Sequence, residues 1–194
     1  MNAANLQPAV FLDRDGTLIR DVGYLTRIEQ IEILAGVPAA IRALRNAGFA
    51  TVVVTNQSAV ARGWLTETAL NHIHRVVQDL LAQEDAELDA IYYCPHHPSA
   101  GVGEYRVVCE CRKPKPGMIN RAVHDLALAP MRSYVLGDQN VDLELAHQVG
   151  ATPVLVRSNG EQALLSHAPI FDNVKLAADW IIARGSARIG DIRA

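Results

Sequence analysis

The sequence has no excess of basic residues: 18 lysines and arginines face 21 aspartates and glutamates, a formal net charge of −3. A general nucleic-acid binder shows a basic excess, so no nucleic-acid partner is expected. No apolar run reaches the roughly 18 residues of a membrane-spanning helix, and no membrane partner is expected. Met1 to Pro8 lacks a positive region followed by an apolar core, so no signal peptide is expected and the reading is cytoplasmic. No G-x-x-x-x-G-K-S/T run occurs, which disfavours an ATP-binding kinase of the P-loop type. Cysteine is scarce and odd in number, three residues at 94, 109 and 111, which suits reduced thiols or a metal site better than a disulfide framework. Repeats, low-complexity tracts and domain linkers are missing too. The 194 residues, 49% of them hydrophobic, read as one domain over 1–194, a monomer able to bury a substantial core.

What is present is an alternation of strand-like and helix-like segments. Ala9–Leu12 reads as a buried strand that ends before the turn at Gly16. A helix is expected over Val37–Ala47, with Pro38 in its first turn and Gly48 just past its end. Ala50–Val54 is a valine-rich strand, and a helix starts near Thr66, which can cap it. Ala90–Tyr93 reads as a third strand, followed by an irregular stretch from Cys94 to Pro116. A helix over Gly117–Leu126, a strand over Tyr134–Leu136, a helix over Asn140–Val149 and a strand over Pro153–Val156 follow. A last amphipathic helix is expected over Lys175–Ala183, with a loose tail from about 185. This β-then-α order implies a three-layer α/β/α, Rossmann-like, mostly parallel sheet, whose ligands bind beyond the carboxyl ends of the strands.

The strand ends carry the chemistry. Asp13 and Asp15, two apart in Asp13-Arg14-Asp15-Gly16-Thr17, point the same way on extended chain and can converge above the first strand. Carboxylates that close repel unless a cation or a shared proton relieves them, so a hard-metal site or an acid/base pair is implied against the alternative of a solvated turn. Thr55 follows the second strand, Lys113 precedes a helix, and Asp138 follows the strand over Tyr134–Leu136. Alone, these read as a cap, a solvated lysine and a turn; together, at one sheet edge, they suit phosphoryl transfer. Carboxylates bind Mg²⁺, a carboxylate can attack phosphorus, and a threonine hydroxyl and a lysine ammonium offset charge on the transferring group.

Every cysteine falls in the irregular stretch, in a C-x-H pair at Cys94-Pro95-His96 and a C-x-C pair at Cys109-Glu110-Cys111. Three thiolates and one imidazole make a closed tetrahedral zinc set that would stabilise a loop over 94–112. His97 is a rival ligand to His96, and incidental thiols are the alternative to a metal site. His72 and His74, two apart on a helix, face different ways and are poor co-ligands. His124, His147 and His167 read as ordinary surface or core residues.

With these motifs in view, the chain resembles the haloacid dehalogenase superfamily of phosphohydrolases over about residues 9 to 157. Asp13-Arg14-Asp15-Gly16-Thr17 matches its first motif, Val54-Thr55-Asn56 its second, Lys113 its third, and Gly137-Asp138 with Asp142 its fourth. The resemblance implies Asp13 as nucleophile and Asp15 as general acid/base. It also implies catalytic Mg²⁺ held by Asp13, the Asp15 main-chain oxygen and Asp138, with Asp142 in support. Neither gap between motifs holds an obvious cap domain, so a capless, open site is expected. Asp21-Val22-Gly23-Tyr24, Thr55-Asn56-Gln57-Ser58, Ala61-Arg62-Gly63 and the segment Cys109–Met118 are similar to the heptose 1,7-bisphosphate 7-phosphatases of that superfamily. That narrower resemblance implies a structural Zn²⁺ and a phosphorylated sugar substrate. It places substrate contacts at Asp21, Val22, Gly23, Tyr24, Thr55, Asn56, Gln57, Ser58, Arg112 and Lys113. Gln139 departs from it, since many relatives carry lysine there. A histidinol-phosphate phosphatase, another small phosphorylated-metabolite phosphatase and a zinc-dependent binding module remain as alternatives.

Overall fold

The computed structural model describes residues 6–157 and 168–190, without the side chains of 186–190. His167 and the last residues of the tail therefore lie outside the described residues. Six strands, β1 (Ala9–Leu12), β2 (Ala50–Asn56), β3 (Ala90–Cys94), β4 (Tyr134–Gly137), β5 (Thr152–Val156) and β6 (Ile170–Phe171), form one sheet in the order β3-β2-β1-β4-β5-β6. Every neighbouring pair is parallel. The expected mostly parallel α/β/α architecture is the one found, and the chain changes direction along the sheet at β1, where a crevice opens beyond the strand ends.

Alternation within each strand divides the core in two. Val10 and Leu12 of β1, with Val53, Leu136 and Val154, face α1 (Val37–Asn46), α3 (Glu67–Ala82) and α6 (Val174–Gly190). Ala9 and Phe11, with Val52, Val54 and Val135, face α4 (Gly117–Leu126) and α5 (Asn140–Val149). A strand buried on both faces needs apolar residues at consecutive positions, which is why β1 and β2 read as continuous hydrophobic runs. Local signals agree at the helix ends: the Thr66 hydroxyl accepts from the Ala69 amide and caps α3. None of the described helices is long and apolar enough to cross a membrane.

Four elements differ from the sequence expectations. The short helix α2 (Ser58–Ala61) and the two-residue β6 are too brief to leave a periodic signal. Cys94 closes β3 rather than opening the loop, and Asn56 pairs with it across the sheet. The tail expected to be loose from about 185 continues as helix to Gly190. A Cβ on Gly185 would come within 2.9 Å of the Phe49 ring, so its missing side chain lets α6 close on the core. The 94–116 stretch is irregular, as expected, except for one 3-10 turn at Gly103–Tyr105.

Phe11 is fully buried beneath α4 and α5. Phe11→Ala is expected to lower unfolding free energy in urea by about 3–5 kcal/mol, the usual range for an emptied core aromatic. A loss below about 1 kcal/mol would contradict a sheet packed on both faces.

Candidate active site

The carboxyl ends of β1, β2 and β4 meet over the crevice, and two glycines make the approach possible. The Asp13 amide bonds the Leu136 carbonyl at 2.9 Å, tying the end of β1 to β4. Gly16 sits at φ +77°, and a Cβ there would overlap the Asp138 carboxylate. A Cβ on Gly137 would likewise overlap the carboxylate of Asp142.

Asp13, Asp138 and Asp142 each present a carboxylate oxygen, all within 4.8 Å of one another. Lys113 enters this cluster from the loop before α4, its ammonium 2.9 Å from Asp13 Oδ1 and 2.8 Å from Asp142 Oδ1. Asp142 also accepts from the Gln139 amide at 3.2 Å, the side-chain arm of a capping box at the start of α5. Burial lifts the Asp13 pKa to about 7, against the pull of Lys113, with the Asp142 and Asp15 charges adding to the rise. Burial also opposes the charge on Lys113, but Asp13 and Asp142 outweigh it and hold its pKa above the usual lysine value.

The Asp15 carboxylate turns elsewhere. Arg14 Nε and Nη2 donate to Asp15 Oδ1 at 3.1 and 2.9 Å, and Nη2 also reaches Oδ2 at 2.8 Å. Gln57 Nε2 donates to Asp15 Oδ2 and to Thr55 Oγ1, both at 2.9 Å, while Gln57 Oε1 accepts from Arg14 Nη2 at 2.8 Å. Arginine offers only donors, which settles the orientation of the Gln57 amide. The two aspartates thus line one cleft, but each has its own cation.

That cleft has a volume of about 420 Å³ and is lined by Asp13, Asp15, Asp21, Gly23, Tyr24, Thr55, Asn56, Gln57, Ser58, Arg112, Lys113 and Gln139, among others. Asn56 holds the Lys113 backbone twice, donating to its carbonyl at 3.2 Å and accepting from its amide at 3.0 Å. Arg112 Nη1 donates to Ser58 Oγ at 3.0 Å and to the His96 carbonyl at 3.1 Å. Asp21 accepts from the Gly23 amide at 2.7 Å, shaping the turn that presents Tyr24. Val22, on the same turn, is not among the lining residues and is 40% exposed. Tyr24 packs edge-on against Trp64 with centroids 4.7 Å apart, and the Arg62 guanidinium lies 5.3 Å from both rings. Sequence reading passed over Trp64, an isolated loop residue, and weighed His74 only as a poor co-ligand of His72; that it meets Arg14, 60 positions earlier, left no signal in the sequence.

Beside the cleft, one ligand atom from each of Cys94, His96, Cys109 and Cys111 lies within 4.8 Å of the others. Sulfur-to-sulfur distances are 3.1, 3.3 and 3.5 Å, and His96 Nδ1 lies 3.3 Å from Cys111 Sγ. A tetrahedron with bonds of about 2.3 Å has edges of roughly 3.8 Å, so the four donors are close to the size of a zinc site. His97, the rival, uses its Nδ1 to accept from the amides of Ser99 and Ala100 and shapes the turn instead. Gly117, where a Cβ would collide with the Glu110 carbonyl, lets the cluster press against the start of α4.

Comparison with known proteins agrees with this geometry. The polynucleotide kinase 3 phosphatase family matches residues 9–142, and the HAD-hydrolase-like family matches residues 110–178. A curated relative from Escherichia coli K12, named D-glycero-β-D-manno-heptose-1,7-bisphosphate 7-phosphatase, is 45% identical over 177 residues, covering 90% of this chain and 88% of that protein. A relative of the same name from Haemophilus ducreyi is 46% identical over 153 residues, covering 77% and 83%. The crystal structure of D,D-heptose 1,7-bisphosphate phosphatase from B. bronchiseptica, complexed with magnesium and phosphate, superposes with a TM-score of 0.79 at 31% identity, covering 91% of this chain and 99% of that one.

Because the Asp13 pKa is raised, the folded protein holds a proton that the unfolded chain releases between the ordinary aspartate range and about pH 7. Its stabilising effect fades as pH rises through that window. In magnesium-free buffer, Asp13→Asn is therefore expected to melt above wild type at pH 8, with the gain shrinking towards pH 5. An equal gain at both pH values would contradict the buried, proton-binding carboxyl.

Proposed function

The chain belongs to the haloacid dehalogenase superfamily of phosphatases, and from that premise we propose that it removes the 7-phosphate of D-glycero-D-manno-heptose 1,7-bisphosphate through an aspartyl-phosphate. The observation that carries the reading is one cleft lined by Asp13, Lys113 and Arg112, a nucleophilic carboxylate with two separate cations. Lys113 serves the phosphate that reacts. Arg112, with N–H groups beyond those given to Ser58 and His96, serves a second phosphate on the same molecule. Relatives named for this bisphosphate support the choice of substrate.

The residues fit two metals. Asp13 and Asp138, with the Asp15 main-chain oxygen that the family resemblance assigns, would form a hard oxygen set, and the three carboxylates of the cluster, Asp142 included, against one ammonium leave an excess of negative charge. Mg²⁺ held there would neutralise charge on the phosphoryl oxygens. The three thiolates and one imidazole of the second cluster suit a closed, structural Zn²⁺.

The chain's own groups then account for the reaction. Lys113 and the Arg14 amide both engage Asp13 Oδ1, leaving Oδ2 to form the bond to phosphorus as the bond from phosphorus to the sugar oxygen breaks. Asp15 gives a proton to that departing oxygen, then takes one from the water that attacks the acyl phosphate. The second step breaks the bond between Asp13 and phosphorus and releases inorganic phosphate. Thr55 accepts from Gln57, so its own hydroxyl hydrogen is free for a phosphoryl oxygen. Asn56 holds Lys113 in place, and Tyr24 with the 21–23 turn walls the sugar side of the cleft. Reaction in a cytoplasmic monomer without nucleic acid or membrane completes the reading, with all 194 residues acting as one domain.

Asp13→Asn is expected to lower turnover of the bisphosphate and of an aryl phosphate by at least roughly 10³-fold. Magnesium-independent turnover by wild type would defeat the enzyme reading. Arg112→Ala is expected to raise KM for the bisphosphate about tenfold or more, the worth of a charge-assisted contact, with aryl phosphate hydrolysis within about twofold. A panel with histidinol phosphate and both anomers of the bisphosphate checks the substrate; preference for histidinol phosphate would overturn it. Chelation of zinc is expected to increase hydrogen exchange across residues 94–112 while β1 and β4 stay protected, and full zinc occupancy in Cys109→Ser would contradict the ligand set.

A further inference from the structure

We propose that Arg14 and His74 are positioning residues for Asp15, with His74 acting on the reaction only through the direction it gives the Arg14 guanidinium. The inference rests on the proton-carrying role of Asp15 proposed above. Arg14 is the largest fully buried side chain described, 1% exposed. A guanidinium taken out of water needs an acceptor for each face of its fork, and here the acceptors come from three elements. Nε and Nη2 grip Asp15 side-on, Nη2 also meets Gln57 Oε1, and Nη1 lies 3.1 Å from His74 Nε2.

That last contact has one possible polarity. Arginine cannot accept, so His74 Nε2 accepts, and the ring is neutral with its proton on Nδ1. Burial, then the Arg14 charge, hold the imidazole pKa down to about 3, consistent with a permanent acceptor. The ring is itself held: it is buried on α3 and packs at 5.4 Å against Tyr93, whose hydroxyl donates to Glu67 in the first turn of the same helix at 2.7 Å. No substrate group is needed to keep this chain in order.

The consequence is geometric. Asp15 Oδ1 receives two bonds from Arg14, and Oδ2 receives one from Arg14 and one from Gln57. Without an acceptor at Nη1, one corner of the buried fork is left unpaired; the guanidinium can relieve it only by turning about its Cδ–Nε bond against its remaining bonds, and Nη2, which serves both Asp15 and Gln57, shifts with it. The carboxyl that must meet the leaving oxygen then loses its aim, while Asp13, Lys113 and the carboxylate cluster keep theirs. The defect should therefore grow with the leaving group's need for a proton. An alkyl oxygen needs one; a nitrophenolate does not.

The test compares kcat/KM for heptose bisphosphate with kcat/KM for p-nitrophenyl phosphate, on magnesium-loaded protein whose melting temperature verifies the fold. His74→Leu is expected to lower the sugar-to-aryl ratio about tenfold or more, a part of the 10²–10⁴-fold that a general acid supplies. His74→Gln, whose amide oxygen can accept from Nη1, should restore the ratio to within about threefold of wild type. His74→Asn, too short to reach Arg14, repeats the loss without an apolar group beside the guanidinium. Equal losses on both substrates, no loss, or no rescue by His74→Gln would overturn the inference. Asp15→Asn separates the two levels. If it lowers the ratio and His74→Leu does not, the positioning role alone fails; if it leaves the ratio unchanged, the proton-carrying role of Asp15 fails and this inference with it.

Discussion

The site depends on one buried ammonium. Lys113 is 4% exposed and lies between Asp13 and Asp142, so it joins the end of β1, the loop before α4 and the first turn of α5. These segments are remote in sequence, and no local propensity brings them together. Removing the shared ammonium from such a buried set typically costs about 3–5 kcal/mol, because the carboxylate charge left behind is neither solvated nor paired. The same contact keeps a buried carboxylate usable, since burial alone pushes Asp13 towards its protonated form and Lys113 pulls the other way. Position and protonation therefore have a common cause.

A second cation resolves the crowding of two aspartates separated by one residue. Asp13 takes Lys113 and Asp15 takes Arg14, the residue between them in the chain. The division gives the two carboxyls different surroundings while both line one cleft. Different environments are what two carboxyls need to take up separate roles, as the proposed division between bonding to phosphorus and moving protons requires. Gln57 links the Arg14 side of this arrangement to Thr55, so the hydroxyl at the end of β2 is oriented by the same network.

The cysteine cluster bears on the cleft through its neighbours. Cys94 pairs in register with Asn56, Asn56 clamps the Lys113 backbone, and Arg112 donates to the carbonyl of His96. A long irregular segment gains little from packing, so a four-ligand cluster is the economical way to hold Arg112 and Lys113 at the strand ends. The loop's length, anomalous for a connection, makes sense as the carrier of these two cations.

The sequence by itself determined the architecture and which polar residues stand at the strand ends. Apolar runs long enough to be buried on both faces appear at β1, β2 and β4, and each ends in a polar residue that the parallel sheet carries to one edge. The cysteine pairs were legible because single-residue spacing on extended chain leaves little freedom of direction. Tertiary structure alone decided the partners. Whether His96 or His97 joins the thiols depended on which imidazole the 97–100 turn consumes. That α6 runs past Gly185 depended on how closely Phe49 lies against it. That His74 meets Arg14, 60 positions earlier in the chain, depended on how α3 packs over β3. Periodicity and spacing report what a residue can do within its own element; which group it does it with is set by packing between elements.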